Sequence, residues 1–322
     1  MRPTVFITID TEEDLWGEFR VRDNPVTNVS RLTALQTLFR EFGAVPTYLV
    51  NWAVVSDDTA CGVIHGLADE GDCEIGMHCH PWHTPPFAEP INARNSMLCN
   101  LSDELVEQKL TNLHERISRR IGHETTSFRA GRWGMGRNVA VALEKLNYKV
   151  DTSISPTIDW TMEGGPDFTS ARHDTYRFVP SDLHEARADG TLLEVPPTIG
   201  FLQGNSPVRV AFRSGFSRGR LAKLRLLGVL DRLRVLNHRW LSPEQANSSD
   251  MIRLAKGFVS SGHRHLNMSF HSNSLVPGIT PFVRDDSGLA RFLRDIGGFL
   301  EYAAGEGWEF APLSSAAGDT GG

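Results

Sequence analysis

The length, composition and charge of the chain are those of an ordinary folded protein. It has 322 residues, of which 40% are hydrophobic and 22% are charged, and this composition excludes a disordered or collagen-like chain. The 33 basic and 39 acidic side chains leave a formal net charge of −6, so the chain as a whole has no electrostatic attraction for nucleic acid.

The first apolar segment of the sequence and its cysteines indicate in which cellular compartment the protein is expected. The first apolar segment is too short for a signal peptide, and no later apolar run reaches the length of a membrane span. The four cysteines are more typical of free thiols than of a disulfide framework. These are Cys61, Cys73, Cys79 and Cys99. We therefore expect a cytoplasmic protein.

Short β-branched segments alternate with helical patterns along nearly the whole chain. The spacing predicts strands at residues 5–9, 46–50, 73–77, 127–129, 149–151, 176–179, 192–195, 266–270 and 308–312. It predicts helices from residue 28 or 30 to 43, and at 56–70, 102–121, 131–146, 250–260 and 288–305. About seven strand–helix units result, which predicts one α/β domain over residues 1–313 and suits a barrel.

Three segments do not follow this alternation. Irregular insertions are predicted at about 152–180 and 200–248, and such long loops usually carry function. Within the second, residues 217–240 interleave seven arginines and lysines with leucines and valines. This pattern is typical of a surface helix with a solvated basic face, or of a helix that contacts anionic lipid or a phosphate-linked glycan carrier. Residues 314–322 are small and polar, so we expect a disordered tail.

Polar and aromatic side chains collect directly after the predicted strands. They are Asp10, Glu12, Glu13, Asp14 and Trp16 after the first strand, His78, His80, Trp82 and His83 after the third, Arg129, Arg132 and Trp133 around the end of the fourth, and Asp151 and His271 at the ends of later strands. In a barrel, the C-terminal ends of parallel strands meet at one rim, where the chemistry is located. The sequence therefore predicts a site at this rim.

Carboxylates beside closely spaced histidines are typical of a divalent metal site, because zinc and its neighbours accept both ligand types. His78 and His80 are two residues apart at a strand end, so they face the same side. His83 is an alternative second ligand if the chain bends after Pro81. Histidines in an exposed loop are the competing interpretation, but the nearby acidic residues favour the metal site. Asp10 ends an apolar strand and needs a partner or a role there.

The remaining candidates allow two interpretations. We expect Glu13 and Asp14 to be solvated. Trp16, Trp82, Trp133 and Trp160 suit either the core or a rim that stacks against sugar rings. Arg132 suits either substrate contact or an ion pair that stabilises the fold.

In this order, the residues resemble the five motifs of the NodB-like polysaccharide deacetylases. The motifs are Asp10-Thr11-Glu12, residues 74–82 (EIGMHCHPW), residues 128–134 (FRAGRWG), Asp151, and residues 269–271 (SFH). The likeness spans roughly residues 4–313 and is greatest to the cytoplasmic WalW-type branch, which is associated with surface-polysaccharide or lipopolysaccharide gene clusters. It implies a distorted (β/α) barrel and a catalytic divalent metal, with zinc expected and cobalt or nickel as alternatives.

The resemblance also implies a role for individual residues. Asp10 matches the general base, Arg129 the arginine that orients it, His271 the general acid, and Asp151 the carboxylate behind that acid.

Two departures from the family pattern concern the metal. Thr11 stands where the family has a metal-binding aspartate, so we expect Glu12 to bind the metal with His78 and His80. Trp82 stands where the family has its second histidine, which leaves His80 or His83 for that position.

The expected activity is removal of an N-acyl group, most simply acetyl, from a sugar in a surface-polysaccharide precursor that is nucleotide-linked or lipid-linked. Metal-activated water attacks the acyl carbonyl, Asp10 takes its proton, and His271 protonates the leaving amine. A nearby Asp151 carboxylate is expected to raise the pKa of His271. A deformylase or other amide hydrolase is the first alternative. A glycan-binding barrel without catalysis, which has lost the metal with the second aspartate, is the other.

Overall fold

The computed structural model describes residues 2–217 and 226–318. Its strands are β1 (Thr4–Thr11), β2 (Thr47–Val50), β3 (Glu74–Cys79), β4 (Ser127–Ala130), β5 (Val150–Asp151), β6 (Tyr176–Phe178), β7 (Leu192–Glu194), β8 (Ile199–Phe201), β9 (His238–Trp240), β10 (His265–His271) and β11 (Glu309–Phe310). Its α-helices are α1 (Leu32–Glu41), α2 (Trp52–Ser56), α3 (Asp58–Glu70), α4 (Asp103–Ile121), α5 (Arg137–Lys145), α6 (Pro207–Ser217), α7 (Leu226–Arg232), α8 (Ser248–Ser260) and α9 (Asp286–Gly305).

Nine of these strands form one curled sheet in the order β10-β1-β2-β3-β4-β5-β7-β6, with β11 also paired to β1. Apart from β6, which runs antiparallel to β7, the pairs are parallel. Bonds between Thr198 and Asn267 bridge the gap between the chain after β7 and β10, with the Thr198 N–H donating to the Asn267 carbonyl at 3.0 Å. The sheet therefore curls into a distorted (β/α) barrel, which confirms the predicted fold class.

The alternation of side chains along β1 shows how the barrel is filled. Phe6, Thr8 and Asp10 point into the barrel, where Phe6 packs beside Val150 and Leu193 and Thr8 accepts a hydrogen bond from Arg129. The odd-numbered residues between them belong to the apolar layer under the helices. Polar side chains at the C-terminal end of β1 therefore point toward one shared interior.

The helices begin and end where local side-chain chemistry favours it. Helix α4 begins after Ser102, whose hydroxyl accepts a hydrogen bond from the Leu105 N–H at 3.3 Å, and it ends at Gly122 with φ +79°. An N-terminal serine satisfies a free backbone N–H, and glycine adopts the left-handed end conformation without a Cβ clash. Within the described residues, no helix is both long and apolar enough to cross a bilayer.

Two expectations about irregular segments are wrong. The interval predicted as irregular at 200–248 contains α6 and β9, and β9 pairs antiparallel with β8, while α7 lies within the helix expected at 217–240. The tail predicted to be disordered from residue 314 instead begins in a 3-10 helix, Leu313–Ala317, whose Leu313 and Ala316 are buried against the barrel floor. Residues 319–322 lie outside the described residues.

The predicted basic helix at 217–240 is described only in part. Arg218, Arg220, Lys223 and Arg225 lie outside the described residues. Beyond them, α7 is helical, while Arg234 and Arg239 form ion pairs with Asp250 at 2.5 and 3.1 Å. At least these two charges are neutralised within the protein.

Candidate active site

A cavity of about 420 Å³ opens at the C-terminal ends of the barrel strands. It is lined by Asp10 and Glu12 from β1 and the turn after it, His78 and His80 from β3 and its end, Arg129 from β4, and His271 from β10. These are the strand ends at which the sequence predicts a site. The structure thus brings the polar candidates of four of the five motifs together.

Glu12, His78 and His80 form a compact group of possible metal ligands. The Nε2 atoms of His78 and His80 lie 3.0 Å apart, and Oε2 of Glu12 lies 3.4 Å from the first and 3.2 Å from the second. All three side chains are buried. A carboxylate and two imidazoles at this separation are a suitable donor set for zinc or a related divalent ion.

The hydrogen bonds of the two imidazoles fix which nitrogen carries hydrogen. Nδ1 of His78 lies 3.0 Å from the carbonyl oxygen of Arg129, and Nδ1 of His80 lies 3.0 Å from Oε1 of Glu13. Both oxygens only accept, so both Nδ1 atoms donate. Two neutral imidazoles would then face each other with Nε2 lone pairs. The arrangement therefore requires a positive charge among the three donors, either a proton or a metal ion, and these residues fit a metal.

Glu13 is buried behind His80 and is not the solvated residue predicted from the sequence. Its carboxylate accepts hydrogen bonds from Nδ1 of His80, from Nε2 of His83 at 3.0 Å and from Nδ2 of Asn51 at 2.6 Å. Burial alone would lower the pKa of His80, but the charges of Glu13 and Glu12 raise it to about 10. His83 belongs to this outer group, so the structure places His80 beside Glu12 and His83 beyond Glu13.

Asp10 is held as a carboxylate by Arg129. Nη1 of Arg129 donates to Oδ1 of Asp10 at 2.6 Å, and Nη2 donates to Thr8 Oγ1 at 2.6 Å. Burial by itself raises the pKa of Asp10, but the charge of Arg129, together with His78 and His271, outweighs burial and lowers it. A buried, deprotonated carboxylate beside the metal-ligand group can accept a proton.

His271 faces Asp10 and is supported by Glu244. Nε2 of His271 lies 3.6 Å from Oδ2 of Asp10, and Nδ1 donates to Oε2 of Glu244 at 3.0 Å. Burial alone would lower the pKa of His271, but the charge and hydrogen bond of Glu244 raise it to about 10. His271 is therefore a protonated group beside a deprotonated one, which is a suitable arrangement for an acid and a base.

Asp151 does not stand behind His271, contrary to the prediction. It accepts a hydrogen bond from Ser153 Oγ at 2.5 Å and pairs in register with Glu194 of β7. The reason is strand alternation. Val150 and Thr152 point into the barrel, where Thr152 bonds Arg129 and Asn267, so Asp151 between them points outward. Its burial raises its pKa, which is the opposite of what a charged partner for His271 needs.

Aromatic side chains form much of the cavity wall. Five of the seven tryptophans line it: Trp16, Trp82, Trp133, Trp160 and Trp240. Trp82 stacks on His80 with ring centroids 4.1 Å apart. The rings of Trp133 and Trp160 are nearly parallel, at 7° with centroids 6.5 Å apart. A cavity lined in this way suits a ring with apolar faces and polar edges, such as a sugar.

Arg132 and Trp133 enter this wall through an uncommon backbone. Their φ angles are +52° and +59°, a left-handed region that costs a non-glycine residue about 1–2 kcal/mol. The guanidinium of Arg132 binds Glu163 at 3.1 Å and Ser96 at 2.5 Å. Arg132 therefore lines the cavity and also forms an ion pair, so both interpretations of this residue apply.

The sequence interpretation missed Glu244, Trp240 and Phe19, which also line the cavity. Glu244 follows the three-residue strand β9, and Trp240 is the last residue of that strand. The rule that site residues follow strands would have found both, but β9 lies in the segment interpreted as irregular.

Comparison with known proteins supports the fold. No family model matches the sequence, and no curated protein matches it. Among solved structures, a protein from Mycobacterium smegmatis assigned as a polysaccharide deacetylase superposes with a TM-score of 0.56 at 15% identity, over 98% of this chain and 90% of the other. The Xyl-CE4 domain of a xylanase from the hindgut metagenome of Trinervitermes trinervoides gives 0.47 at 9% identity, covering 100% and 92%. A family 4 acetyl xylan esterase from Clostridium thermocellum, with bound cobalt, gives 0.45 at 11% identity, covering 97% and 89%.

The first of these likenesses shows that the two chains share a fold over nearly their whole length. The activity therefore has to be inferred from the site.

Proposed function

We propose that this protein is a metal-dependent hydrolase that removes an N-acyl group, acetyl in the first instance, from a sugar. The observation that carries the proposal is the position of Glu12, His78 and His80 beside the oppositely charged pair Asp10 and His271 in one aromatic cavity. The barrel shared with the Mycobacterium smegmatis protein supports the same class of activity.

Glu12, His78 and His80 would hold the metal, with zinc expected and cobalt or nickel as alternatives. A divalent ion at these residues would polarise the acyl carbonyl and make water easier to deprotonate. Glu13 fixes the orientation of His80 through Nδ1, as carboxylates do behind many metal-bound histidines.

Asp10 and His271 divide the proton transfers between them. Asp10, ionised because of Arg129, accepts a proton from the attacking water at Oδ2, the oxygen that faces His271. His271, protonated because of Glu244, donates from Nε2 to the nitrogen of the leaving amine. An amine is a poor leaving group unless it is protonated, so an amide substrate needs this donor.

The proposed substrate is an acylated sugar in a cytoplasmic surface-polysaccharide precursor. A carrier phosphate, if the precursor has one, would lie outside the cavity. Val229, Leu233 and Val235, which are exposed within the basic segment 217–240, support peripheral contact of that segment with anionic lipid. Co-sedimentation with anionic vesicles but not with neutral ones is the expected result, and equal sedimentation with both would contradict it.

The first experiment measures metal and activity in the same samples. Protein purified without chelator is analysed by elemental mass spectrometry as wild type, His78→Ala and His65→Ala, the last being an exposed histidine outside the cavity. We expect about one equivalent of metal in wild type and His65→Ala and loss of metal in His78→Ala.

Acetate release from N-acetylated sugars is then measured with zinc, cobalt or nickel added. We expect it in the wild type and not in Asp10→Asn. Protein that neither retains metal after loading nor releases any acyl group would refute the hydrolase and favour a glycan-binding barrel.

A further inference from the structure

Hydrogen bonds of Asp14 join the two ends of the loop after β1. The Asp14 carboxylate accepts hydrogen bonds from the backbone N–H groups of Thr27 at 2.8 Å and Asn28 at 3.2 Å, and from the Asn28 side chain at 2.5 Å. The Asp14 N–H donates to the carbonyl of Pro25 at 2.7 Å. The two ends of residues 15–25 therefore meet, as in an Ω-loop. We call residues 15–25 the strap.

The strap places two aromatic side chains on opposite sides of the cavity mouth. Trp16 packs edge-to-face against His271, with ring centroids 4.8 Å apart, and against Phe282 at 5.4 Å. Phe19 lies 5.0 Å from Trp82 and 5.4 Å from the guanidinium carbon of Arg132. The part of the strap that crosses the site is therefore held by packing of Trp16 at one end and of Phe19 at the other.

The sheet order shows what the strap crosses. His271 ends β10 and Trp82 follows β3, and the order β10-β1-β2-β3 puts two strands between them. This separation corresponds to three strand spacings, or about 14 Å. The backbone from Trp16 to Phe19 reaches at most about 11 Å, and the two side chains extend it. The strap therefore passes over the ends of β1 and β2, beside Asp10 and Glu12.

The opposite side of the cavity is closed by Trp133, Trp160 and Trp240. Trp133 lies 5.2 Å from Trp240 and 6.5 Å from Trp160. With the strap on the other side, the cavity has aromatic walls on both sides of the candidate catalytic pair. Its volume of about 420 Å³ is near the lower end of the range for small-molecule sites, about 300–1,000 Å³.

We propose that the strap restricts this site to one uncharged acylamino sugar, either free or at the end of a glycan chain, with Trp16 and Phe19 as the specificity-determining residues. An internal unit of a polymer needs an exit for the chain on each side, whereas a terminal unit needs one. This inference rests on the proposed function and adds the size and charge of its substrate.

The preference for an uncharged sugar follows from the paired charges in the cavity. Both arginines that line it are engaged, Arg129 with Asp10 at 2.6 Å and Arg132 with Glu163 at 3.1 Å. Among the described residues that line the cavity, no guanidinium is left unpaired to bind a phosphate next to the acylated ring, which would instead meet these carboxylates. The sugar in the cavity is therefore the end of the glycan remote from any phosphate carrier.

The test compares N-acetylglucosamine oligomers of one to six units with the metal-loaded protein. Acetate release gives kcat/KM for each length, and mass spectrometry gives the unit that loses acetyl. The readout is the ratio of kcat/KM for the hexamer to that for the monomer, in which a general loss of catalysis cancels. UDP-N-acetylglucosamine is the charged probe.

We expect the wild type to deacetylate a terminal unit only. We also expect the hexamer not to exceed the monomer in kcat/KM, and the UDP-linked sugar to be at least about tenfold poorer than the monomer. Phe19→Ala and the double variant Trp16→Ala/Phe19→Ala should raise the hexamer-to-monomer ratio at least about fivefold. Phe212→Ala, the same change at an exposed position outside the cavity, should leave it unchanged. Deacetylation of internal units by the wild type, or an unchanged ratio in both strap variants, would overturn the proposal.

Calorimetry with the same sugars separates failure of the strap from failure of the proposed function. One outcome would support the strap proposal and refute the proposed hydrolase function. In that outcome no acetate is released, the wild type binds monomer and hexamer equally, and Phe19→Ala binds the hexamer more tightly than the wild type does. If the wild type binds the hexamer at least about tenfold more tightly than the monomer, the site is an extended groove and the strap proposal is wrong. Absence of both sugar binding and acetate release would overturn both proposals.

Discussion

Substitution of Glu244 should show whether His271 acts as a proton donor, because Glu244 controls the pKa of His271. Glu244→Gln removes a negative charge while keeping the length of the side chain. The charge and hydrogen bond of Glu244 are the largest effects that raise the pKa of His271 to about 10, against burial, which lowers it. An opposite charge at this distance contributes about one to three pKa units, so the substitution should lower the pKa of His271 by about that amount.

The direction of the pH effect follows from the form of His271 that acts. His271 donates a proton, so wild-type turnover is retained below its pKa and is lost as the pH rises through about 10. In Glu244→Gln this alkaline limb should move about one to three pH units lower. The acid limb belongs to Asp10, whose pKa is lowered by Arg129, and it should stay in place.

The assay compares two leaving groups at each pH. His271→Ala should lower kcat for an N-acetyl sugar by about a hundredfold or more, because an amine must be protonated to leave. Hydrolysis of 4-nitrophenyl acetate should fall by less than about tenfold, since 4-nitrophenolate leaves without a proton donor. Metal content should be unchanged. Equal losses on both substrates would show that His271 acts in binding or folding, and an unmoved alkaline limb in Glu244→Gln would refute the role of Glu244.

Three further substitutions test the support of the site. Glu13→Gln should weaken metal binding about 10- to 100-fold in competition with a chromophoric chelator, and unchanged affinity would show that His80 is oriented without this charge. Lys109→Met removes a buried ammonium that binds Glu89 at 2.8 Å and three carbonyls of the loop after β3. It should cost about 3–5 kcal/mol in urea unfolding, and a loss below about 1 kcal/mol would contradict this. Gly131→Ala would place a Cβ 2.5 Å from the Cys79 carbonyl oxygen and from the His80 ring. Both the free energy of unfolding and the metal affinity should therefore fall. Retention of both would show that the loop after β4 adapts to the added methyl group.

The strands of the barrel were predictable because their signal is local. A run of apolar residues in β1 and alternating apolar residues in β10 already specify buried strands. The sheet order follows from successive right-handed strand–helix units. The three-residue strands β8 and β9 are too short to show such a pattern. Their pairing depends on contacts between distant parts of the chain, so the segment that carries Trp240 and Glu244 was interpreted as irregular.

The site was predictable where strand ends alone determine it. Asp10, His78, Arg129 and His271 are at or next to the ends of predicted strands, and the structure brings them together. Asp151 also ends a strand, but the two-residue strand β5 is too short to show from sequence which side it faces. Burial of Glu13 likewise depends on its partners His80, His83 and Asn51, which come from other strand ends.

The position of Thr11 explains why Glu12, and not residue 11, is the candidate carboxylate ligand. Strand β1 continues through Thr11, and side chains two residues apart in a strand share a face. Asp10 and Glu12 therefore both reach the cavity, while Thr11 points away and its hydroxyl donates to the Ile9 carbonyl at 3.1 Å. An aspartate at position 11 would be buried on the wrong side of the sheet. The same two-residue period places His78 and His80 together at the end of β3. The candidate ligands Glu12, His78 and His80 therefore come directly from strand ends, and this accounts for both departures from the pattern that the sequence resembles.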